Sequence, residues 1–227
     1  MTLAAAVPRA IVFDCDGTLV DSEGIHAKAL QGALERLGVR LTVEEIRSQS
    51  AGIANGDYLR RVAVERHIVL PVDAELLVED IAERLIDDEI RLIDGADAVV
   101  RKLAEMGIPL AVASNSSRRL VAQMLRVVQL AGMFAGRIAT RDDVTLPKPA
   151  PDVYRYAARL LNARTEDCLA IEDSEVGVAA ACAAGMTVIG FRPRSSFVPE
   201  NQLIDAGATV VIKDLAEILR WFGGRHG

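Results

Sequence analysis

The chain has 227 residues, of which 51% are hydrophobic and 26% are charged. A chain of this size and composition buries enough apolar surface to fold as one core with at most one satellite unit, which excludes general disorder and a long array of domains. The 26 basic and 32 acidic side chains leave a net charge of −6. Because a nucleic-acid-binding surface needs the opposite sign, we expect neither nucleic acid nor an anionic membrane as a partner.

The cysteines and the apolar segments indicate the compartment. The three cysteines, Cys15, Cys168 and Cys182, are far apart and show no paired spacing, which predicts reduced thiols in a reducing compartment. The apolar residues 4–7 follow no basic segment and end at Pro8, so we expect no secretory signal. No stretch is long enough to span a membrane. We therefore expect a soluble, cytoplasmic protein.

Short β-branched runs alternate with helical patterns along most of the chain. This alternation predicts an α/β fold, a doubly wound parallel sheet covered by helices. The predicted strands are residues 10–13, 109–113, 136–139, 168–171, 187–190 and 209–212.

The interval between the first two strands is too long for one crossover helix and predicts a helical insertion. Ser22 is a plausible N-cap for a helix that ends near Leu37, and the segments 57–67 and 73–92 have further helical patterns. Residues 22–93 carry 9 basic and 14 acidic side chains, and we expect the acidic face of the segment 73–89 to be solvated. We therefore divide the chain into a core, residues 1–21 and 94–227, and an α-helical insertion, residues 22–93.

Polar side chains follow four of the predicted strands. Because the carboxyl ends of parallel strands meet at one edge of a sheet, we expect these loops to form one crevice. Each loop alone has an ordinary explanation, such as a solvated turn, a helix cap or a surface loop, but together they favour one site. The loops are Asp14-Cys15-Asp16-Gly17-Thr18, Ser114-Asn115-Ser116-Ser117, Pro147-Lys148-Pro149 and Glu172-Asp173-Ser174.

This set of residues suits phosphoryl transfer. A carboxylate such as Asp14 can be the nucleophile, and Asp16, two residues further along an extended segment, points to the same side as a candidate general acid and base. Lys148 would pair with phosphate and with Asp14. Ser114 and nearby backbone N–H groups would bind the remaining phosphoryl oxygens.

The same loops supply hard oxygen ligands. Such ligands favour Mg²⁺ over softer metals, and a divalent cation would relieve the repulsion between an attacking carboxylate and a phosphate dianion. The candidate ligands are Asp14, Asp173 and Glu172.

Four segments in this order resemble the motifs of the haloacid dehalogenase (HAD) superfamily. They are Asp14-Cys15-Asp16-Gly17-Thr18, Ser114, Lys148-Pro149-Ala150-Pro151-Asp152, and Glu172-Asp173-Ser174 with Gly177. The insertion resembles the C1-type cap of the β-phosphoglucomutase and sugar-phosphate phosphatase branch, and Asp21-Ser22-Glu23 and His26 match the usual start of that cap.

This resemblance implies a Rossmann-like core with a mobile cap and a phosphoaspartate intermediate on Asp14. It also implies Mg²⁺ held by Asp14, the backbone carbonyl of Asp16 and Asp173, with Glu172 either a direct ligand or a support for one. The expected substrate is a small phosphorylated metabolite. Dehalogenating members lack the second aspartate of the first motif, so Asp16 argues against dehalogenation.

Further residues are candidates for binding the substrate. They are Thr18, His26, Gly52, Asn55 and Asn115. His26 lies on the apolar side of its predicted helix, which leaves a packing role open, and the Thr18 hydroxyl could equally stabilise the turn. Specificity is expected to lie in the insertion, where Arg47, Gln49 and Arg60 are unranked candidates.

Four functions are to be weighed against this pattern. A Mg²⁺-dependent phosphatase for sugar phosphates leads, and a phosphomutase of the β-phosphoglucomutase type is the alternative. That mutase pattern has a lysine before the cap-loop glycine and an arginine three residues after it, where this chain has Ala51 and Asn55 around Gly52. A signalling receiver has no use for the insertion or for Asp16, and a non-catalytic module has no reason to keep the complete set.

Overall fold

The central element is a sheet of six parallel strands. The computed structural model describes residues 8–50, 53–193, 196 and 198–222. In sheet order β5-β4-β1-β6-β7-β8, all neighbouring strands pair in parallel. The strands are β1 (Ala10–Phe13), β4 (Leu110–Ser114), β5 (Ile138–Thr140), β6 (Cys168–Glu172), β7 (Thr187–Phe191) and β8 (Val210–Ile212).

The β1 strand shows why the sheet is buried on both faces. Ile11 and Phe13 belong to one apolar cluster, whereas Ala10 and Val12 belong to a second cluster. Because successive side chains of a strand point to opposite faces, each face of the sheet has its own core. The predicted α/β fold and its six parallel strands are therefore confirmed, and the predicted strand ends agree with the observed ones to within two residues.

Helices cover this sheet on both sides. None of the helices within the described ranges is long and apolar enough to cross a membrane. The helices of this part are α5 (Ala96–Glu105), α6 (Arg118–Val127), α7 (Asp152–Leu160), α8 (Glu175–Ala184) and α9 (Glu200–Asp205), with 3₁₀ turns at Ala131–Phe134, Arg141–Asp143, Thr165–Asp167 and Leu215–Trp221.

Residues 22–50 and 53–93 of the insertion form four helices, one more than the sequence pattern predicts. They are α1 (Glu23–Arg36), α2 (Val43–Ser50), α3 (Asn55–Arg66) and α4 (Ala74–Glu89). The additional helix is α2, in which Ile46 alone is buried, so it lacks the apolar periodicity that identified the others.

A short antiparallel ribbon joins the insertion to the sheet. Strand β2 (Val20–Asp21) pairs with strand β3 (Arg91–Leu92). The sequence predicted a helix through residue 92, but α4 ends at Glu89 because the chain then extends to pair with β2. Two residues are too few to show an alternating pattern, which explains why neither strand was predicted.

The acidic face of α4 packs against a basic face of α6. Asp80 and Glu83 both accept hydrogen bonds from Arg119, at 3.1 Å in the case of Asp80, and Asp87 accepts one of 2.8 Å from Arg126. The side chain of Gln123 donates to Asp87 and to the backbone of α4. The acidic face is therefore exposed as expected at Asp80 and Asp87, but it is also paired with α6, which the sequence does not predict. We call this set of contacts the α4–α6 ion-pair row.

We predict that the ion-pair row holds the insertion against the core in a salt-dependent way. Replacing both Arg119 and Arg126 by Glu should place like charges along α4 and speed hydrogen exchange in that helix at low salt. Each exposed pair is worth only about 0.2–1 kcal/mol, and salt screens it, so the difference from wild type should shrink at salt concentrations of about 1 M. Hydrogen exchange followed by mass spectrometry measures this.

A charge swap tests the same prediction from the other side. Adding Glu83→Arg and Asp87→Arg to the double variant should restore slow exchange. The control is Arg164→Glu, which alters an exposed arginine that pairs locally with Asp167. Unchanged exchange in α4 of the double variant at low salt would contradict the prediction.

Candidate active site

The predicted site residues meet at the carboxyl edge of the sheet. Asp14 follows β1, and Ser114 and Glu172 are the last residues of β4 and β6. Because β1 lies between β4 and β6, the three strand ends are neighbours, as the sequence predicts. Lys148 reaches the same place from the segment between β5 and α7.

Lys148 forms the centre of this cluster. Its Nζ donates to Asp14 Oδ1 and to Glu172 Oε1, both at 2.6 Å, and to the carbonyl oxygen of Ala113 at 2.9 Å. All three ammonium hydrogens therefore have an acceptor. Burial alone would lower the pKa of Lys148, but the charges of Asp14 and Glu172 outweigh it and raise that pKa above its usual value. Lys148 is a fixed cation.

Glu172 is held from four directions. Besides Lys148, its Oε1 accepts a 2.7 Å hydrogen bond from the Tyr154 hydroxyl. Its Oε2 accepts from the backbone N–H and the hydroxyl of Ser174, at 3.2 and 3.0 Å. A Cβ at position 177 would lie 1.8 Å from Oε1, so Gly177 makes room for this carboxylate. These contacts fix Glu172 rather than leave it in solvent.

Tyr154 is a site residue that the sequence analysis missed. It is fully buried on α7 together with Val153 and Ala157. An aromatic residue within an apolar helix face is typical of a core position, and only the hydroxyl, which needs a partner when buried, hints at a polar contact. Tyr154 therefore supports Glu172 from inside the protein.

Three carboxylates could share a cation here. Asp14, Glu172 and Asp173 each offer an oxygen, and these oxygens lie within 4.8 Å of one another. Burial, together with mutual repulsion that Lys148 only partly offsets, raises the pKa of both Asp14 and Asp173 well above the usual range. Clustered carboxylate oxygens are the ligands that Mg²⁺ prefers, so the residues present fit such an ion.

Gly17 permits this arrangement. It has a positive φ of 77°, and a Cβ there would lie 2.0 Å from Oδ2 of Asp173. Only glycine meets both demands without strain, since it adopts positive φ freely and has no Cβ to collide with the carboxylate.

The Asp16 carboxylate connects the insertion with the core. Its Oδ1 accepts from the Ser22 hydroxyl at 2.8 Å and contacts His26 Nε2 at 3.1 Å, and its Oδ2 accepts from Ser114 and Ser116 at 3.1 and 2.9 Å. Burial alone would raise the pKa of Asp16, but the bond and charge of His26 and the serine hydroxyls hold it well below its usual value. Asp16 is therefore ionised in this conformation.

His26 has polar contacts at both ring nitrogens. Its Nδ1 lies 3.2 Å from the Asn55 side-chain amide, and its Nε2 lies 3.1 Å from Asp16 Oδ1. Burial alone would lower the pKa of His26, but Asp16 raises it above its usual value. These contacts place His26 beside Asp16, and its role in substrate binding stays a prediction.

The remaining candidates have different positions. Asn115 uses both polar atoms of its amide on the backbone of Lys148, at 2.8 and 3.1 Å, so it positions the lysine. The Thr18 hydroxyl is buried and has no hydrogen-bond partner among the described residues. Ser22 precedes α1 as predicted, but its hydroxyl binds Asp16 instead of capping the helix. Gly52 lies outside the described residues.

Comparison with known proteins identifies the family of this chain. Residues 8–185 match the family model of haloacid dehalogenase-like hydrolases. A 6-phosphogluconate phosphatase of Escherichia coli is 30% identical over 184 residues, which cover 81% of this chain and 82% of that protein.

Solved structures of related proteins have the same fold as this chain. A HAD family hydrolase of Deinococcus radiodurans with bound phosphate and sodium has a TM-score of 0.77 at 33% identity, covering 94% of both chains. CbbY of Rhodobacter sphaeroides in complex with xylulose 1,5-bisphosphate has a TM-score of 0.79 at 28% identity, covering 92% of this chain and 96% of that chain. The chain therefore belongs to the haloacid dehalogenase-like hydrolase family, as an enzyme of the phosphatase type.

Proposed function

We propose that this protein is a Mg²⁺-dependent phosphatase that hydrolyses small phosphomonoesters, sugar phosphates in particular, through a phosphoaspartate on Asp14. The observation that carries the proposal is the buried Asp14 carboxylate, fixed by Lys148 at 2.6 Å beside Glu172 and Asp173. Two relatives support this substrate class. The Escherichia coli relative is named for 6-phosphogluconate, a phosphorylated sugar acid, and the Rhodobacter sphaeroides CbbY structure contains xylulose 1,5-bisphosphate.

The first step is attack of Asp14 on phosphorus. Lys148 orients the carboxylate by holding Oδ1, and the bond from phosphorus to the leaving oxygen breaks as the bond to Asp14 forms. The Ser114 hydroxyl, now on Asp16, lies at the same strand edge and would donate to a phosphoryl oxygen when substrate is bound. The product of this step is an acyl phosphate on Asp14 and a leaving alkoxide that needs a proton.

Asp16 supplies that proton and later removes one. As general acid it protonates the leaving oxygen, and as general base it takes a proton from the water that attacks the acyl phosphate. Inorganic phosphate leaves and Asp14 is regenerated. Because Asp16 is ionised and surrounded by donors in this conformation, we infer that its contacts rearrange before it acts as an acid.

Asp14 and Asp173, with Glu172 as a direct ligand or a support, would hold Mg²⁺. The bound ion would supply positive charge that reduces repulsion between the Asp14 carboxylate and the phosphate dianion. Lys148 is a buried cation of the site, and its ammonium group already donates hydrogen bonds to the carboxylates of Asp14 and Glu172.

We further propose that residues 22–93 form a cap that moves relative to the core, residues 1–21 and 94–227. The segments 20–22 and 92–95 would be the hinges, and both include or adjoin the β2–β3 ribbon. Two of the four Asp16 partners, Ser22 and His26, lie in the insertion, whereas Ser114 and Ser116 lie in the core. Movement of the cap would therefore change the surroundings of the acid–base residue.

Asp14→Asn should abolish hydrolysis of phosphomonoesters while the protein stays folded. An amide is not a nucleophile toward phosphorus, so the loss should be at least about 10³-fold in kcat. Release of inorganic phosphate measures it, and excess chelator should stop the wild-type enzyme as well. Asp97→Asn, on the exposed face of α5, is the matched control. Turnover by the Asp14→Asn variant above background, or full wild-type activity in chelator, would disprove the mechanism.

Cap movement should be visible in solution. With Mg²⁺ and a phosphate analogue bound, small-angle scattering should give a smaller radius of gyration than without them, because closure excludes water from the site. The Asp14→Asn variant without Mg²⁺ serves as a reference. Identical scattering in both states would remove the basis for a moving cap.

The phosphatase and mutase alternatives differ in what the cap must bind. A mutase retains a bisphosphate while it turns over, so its cap needs cationic donors for the second phosphate. At the position of the mutase arginine this chain has Asn55, a neutral residue that is engaged with His26. This contact favours the phosphatase.

Phosphorus NMR separates these two activities. The enzyme is given β-glucose 1-phosphate with a trace of glucose 1,6-bisphosphate and Mg²⁺, and inorganic phosphate should appear faster than glucose 6-phosphate. The opposite order of products would make the protein a phosphomutase.

A further inference from the structure

The first turn of α1 faces the active site. Ser22 and His26 are four positions apart and both contact Asp16. Residues three or four apart share a helix face, so Glu23, three positions before His26, lies toward the same side. Glu23 directly follows Ser22, whose hydroxyl binds Asp16. Glu23 therefore lies in the helix turn that borders the active site.

Glu23 has a basic partner on another helix of the insertion. The Nη2 of Arg47, on α2, lies 3.4 Å from Glu23 Oε2. Both side chains are largely covered, with 28% and 29% of their surfaces exposed. Burial raises the pKa of Glu23, and Arg47 only partly offsets this effect. The two residues thus place a donor and an acceptor side by side, partly shielded from water, next to the site.

The other arginine candidate of the insertion has a different environment. Arg60 is 60% exposed and pairs with Asp57 and Glu75 on the outer surface of α3 and α4. Its two carboxylate partners and its exposure make it an ordinary surface residue. Of the two arginines that the sequence left unranked, only Arg47 is paired with a residue of the helix turn that borders the active site.

A neutral pair of this kind suits a hydroxyl-bearing leaving group. A hydroxyl accepts a hydrogen bond from Arg47 and donates one to Glu23 without adding charge. A second anionic group would attract Arg47, but it would also face the Glu23 carboxylate in a partly desolvated place. Repulsion between like charges is stronger there than in water, so the anionic group is disfavoured.

We propose that Glu23 and Arg47 form a specificity pair that selects phosphomonoesters with a neutral, polyhydroxylated leaving group over those that carry a second anionic group. This inference rests on the proposed phosphatase function and narrows its substrate class. It also separates this chain from the relatives named for 6-phosphogluconate and crystallised with xylulose 1,5-bisphosphate, whose substrate or ligand carries a second anionic group. The pair acts on the part of the substrate that leaves, whereas Asp14, Asp16 and Lys148 act on the phosphoryl group.

Two substrates that differ in one group provide the test. Glucitol 6-phosphate and 6-phosphogluconate share a six-carbon hydroxylated chain, and C1 is a CH₂OH group in the first and a carboxylate in the second. We expect the wild-type enzyme to favour glucitol 6-phosphate in kcat/KM by about tenfold or more. Glu23→Gln, which removes the repelling charge, should shift this ratio toward 6-phosphogluconate by about tenfold.

Companion variants separate specificity from folding. Arg47→Gln should raise KM for both substrates more than it lowers kcat, because the donor to the leaving group is lost. Arg60→Gln, the matched surface arginine, should leave the ratio unchanged. The kcat/KM value for p-nitrophenyl phosphate serves as the internal reference, because its leaving group has neither an aliphatic hydroxyl nor a carboxylate. Partial unfolding would lower the kcat/KM values of all three substrates in the same proportion.

The possible failures are distinguishable. Hydrolysis with a wild-type preference for 6-phosphogluconate, or with a ratio that Glu23→Gln does not change, would overturn the specificity pair and leave the phosphatase proposal standing. Absence of hydrolysis of all three substrates by the wild-type enzyme with Mg²⁺ would overturn both.

Discussion

Several carboxylates lie close together around one buried lysine at the carboxyl edge of the sheet, and the surrounding residues stabilise their negative charges. Buried like charges repel strongly, and each needs a partner or a hydrogen bond. Lys148 donates hydrogen bonds to Asp14 and Glu172. Tyr154 and Ser174 donate further hydrogen bonds to Glu172. Gly17 and Gly177 have no side chain, which leaves space for the neighbouring carboxylates. A divalent cation such as Mg²⁺ would add positive charge beside these carboxylates, and the residues present fit such an ion.

The insertion is held to the core by two different kinds of contact. At the site, Ser22 and His26 bind Asp16, and these partners are few and largely buried. Further out, the α4–α6 ion-pair row is exposed, so each of its contacts is weak and responds to salt. In the proposed movement of the cap, the weak outer contacts would break at little cost, and the contacts of Ser22 and His26 with Asp16 would form only in the closed state.

The sequence predicts what is local and misses what depends on a distant partner. The buried strands were recognisable as short apolar runs, and the loop residues Asp14, Ser114, Lys148 and Glu172 could be brought together because parallel strands share one edge. The ribbon of β2 and β3 was missed because two residues show no period. The acidic face of α4 was visible, but no local signal shows that α6 lies opposite, and the Tyr154 hydroxyl is similarly hidden within an apolar helix face.

Charge also explains why recognition of the leaving group should rely on a neutral pair. Asp14, Asp16, Glu172 and Asp173 against Lys148 leave three negative formal charges, and a bound divalent cation reduces them to one. A phosphate dianion then makes the site strongly negative again, so a further anion in the leaving group would add repulsion from every side. Glu23 and Arg47, 24 positions apart in sequence and joined at 3.4 Å, would contribute directional hydrogen bonds without changing this balance. The proposed selectivity for hydroxyls over carboxylates would follow from the negative charge of the carboxylates around Lys148.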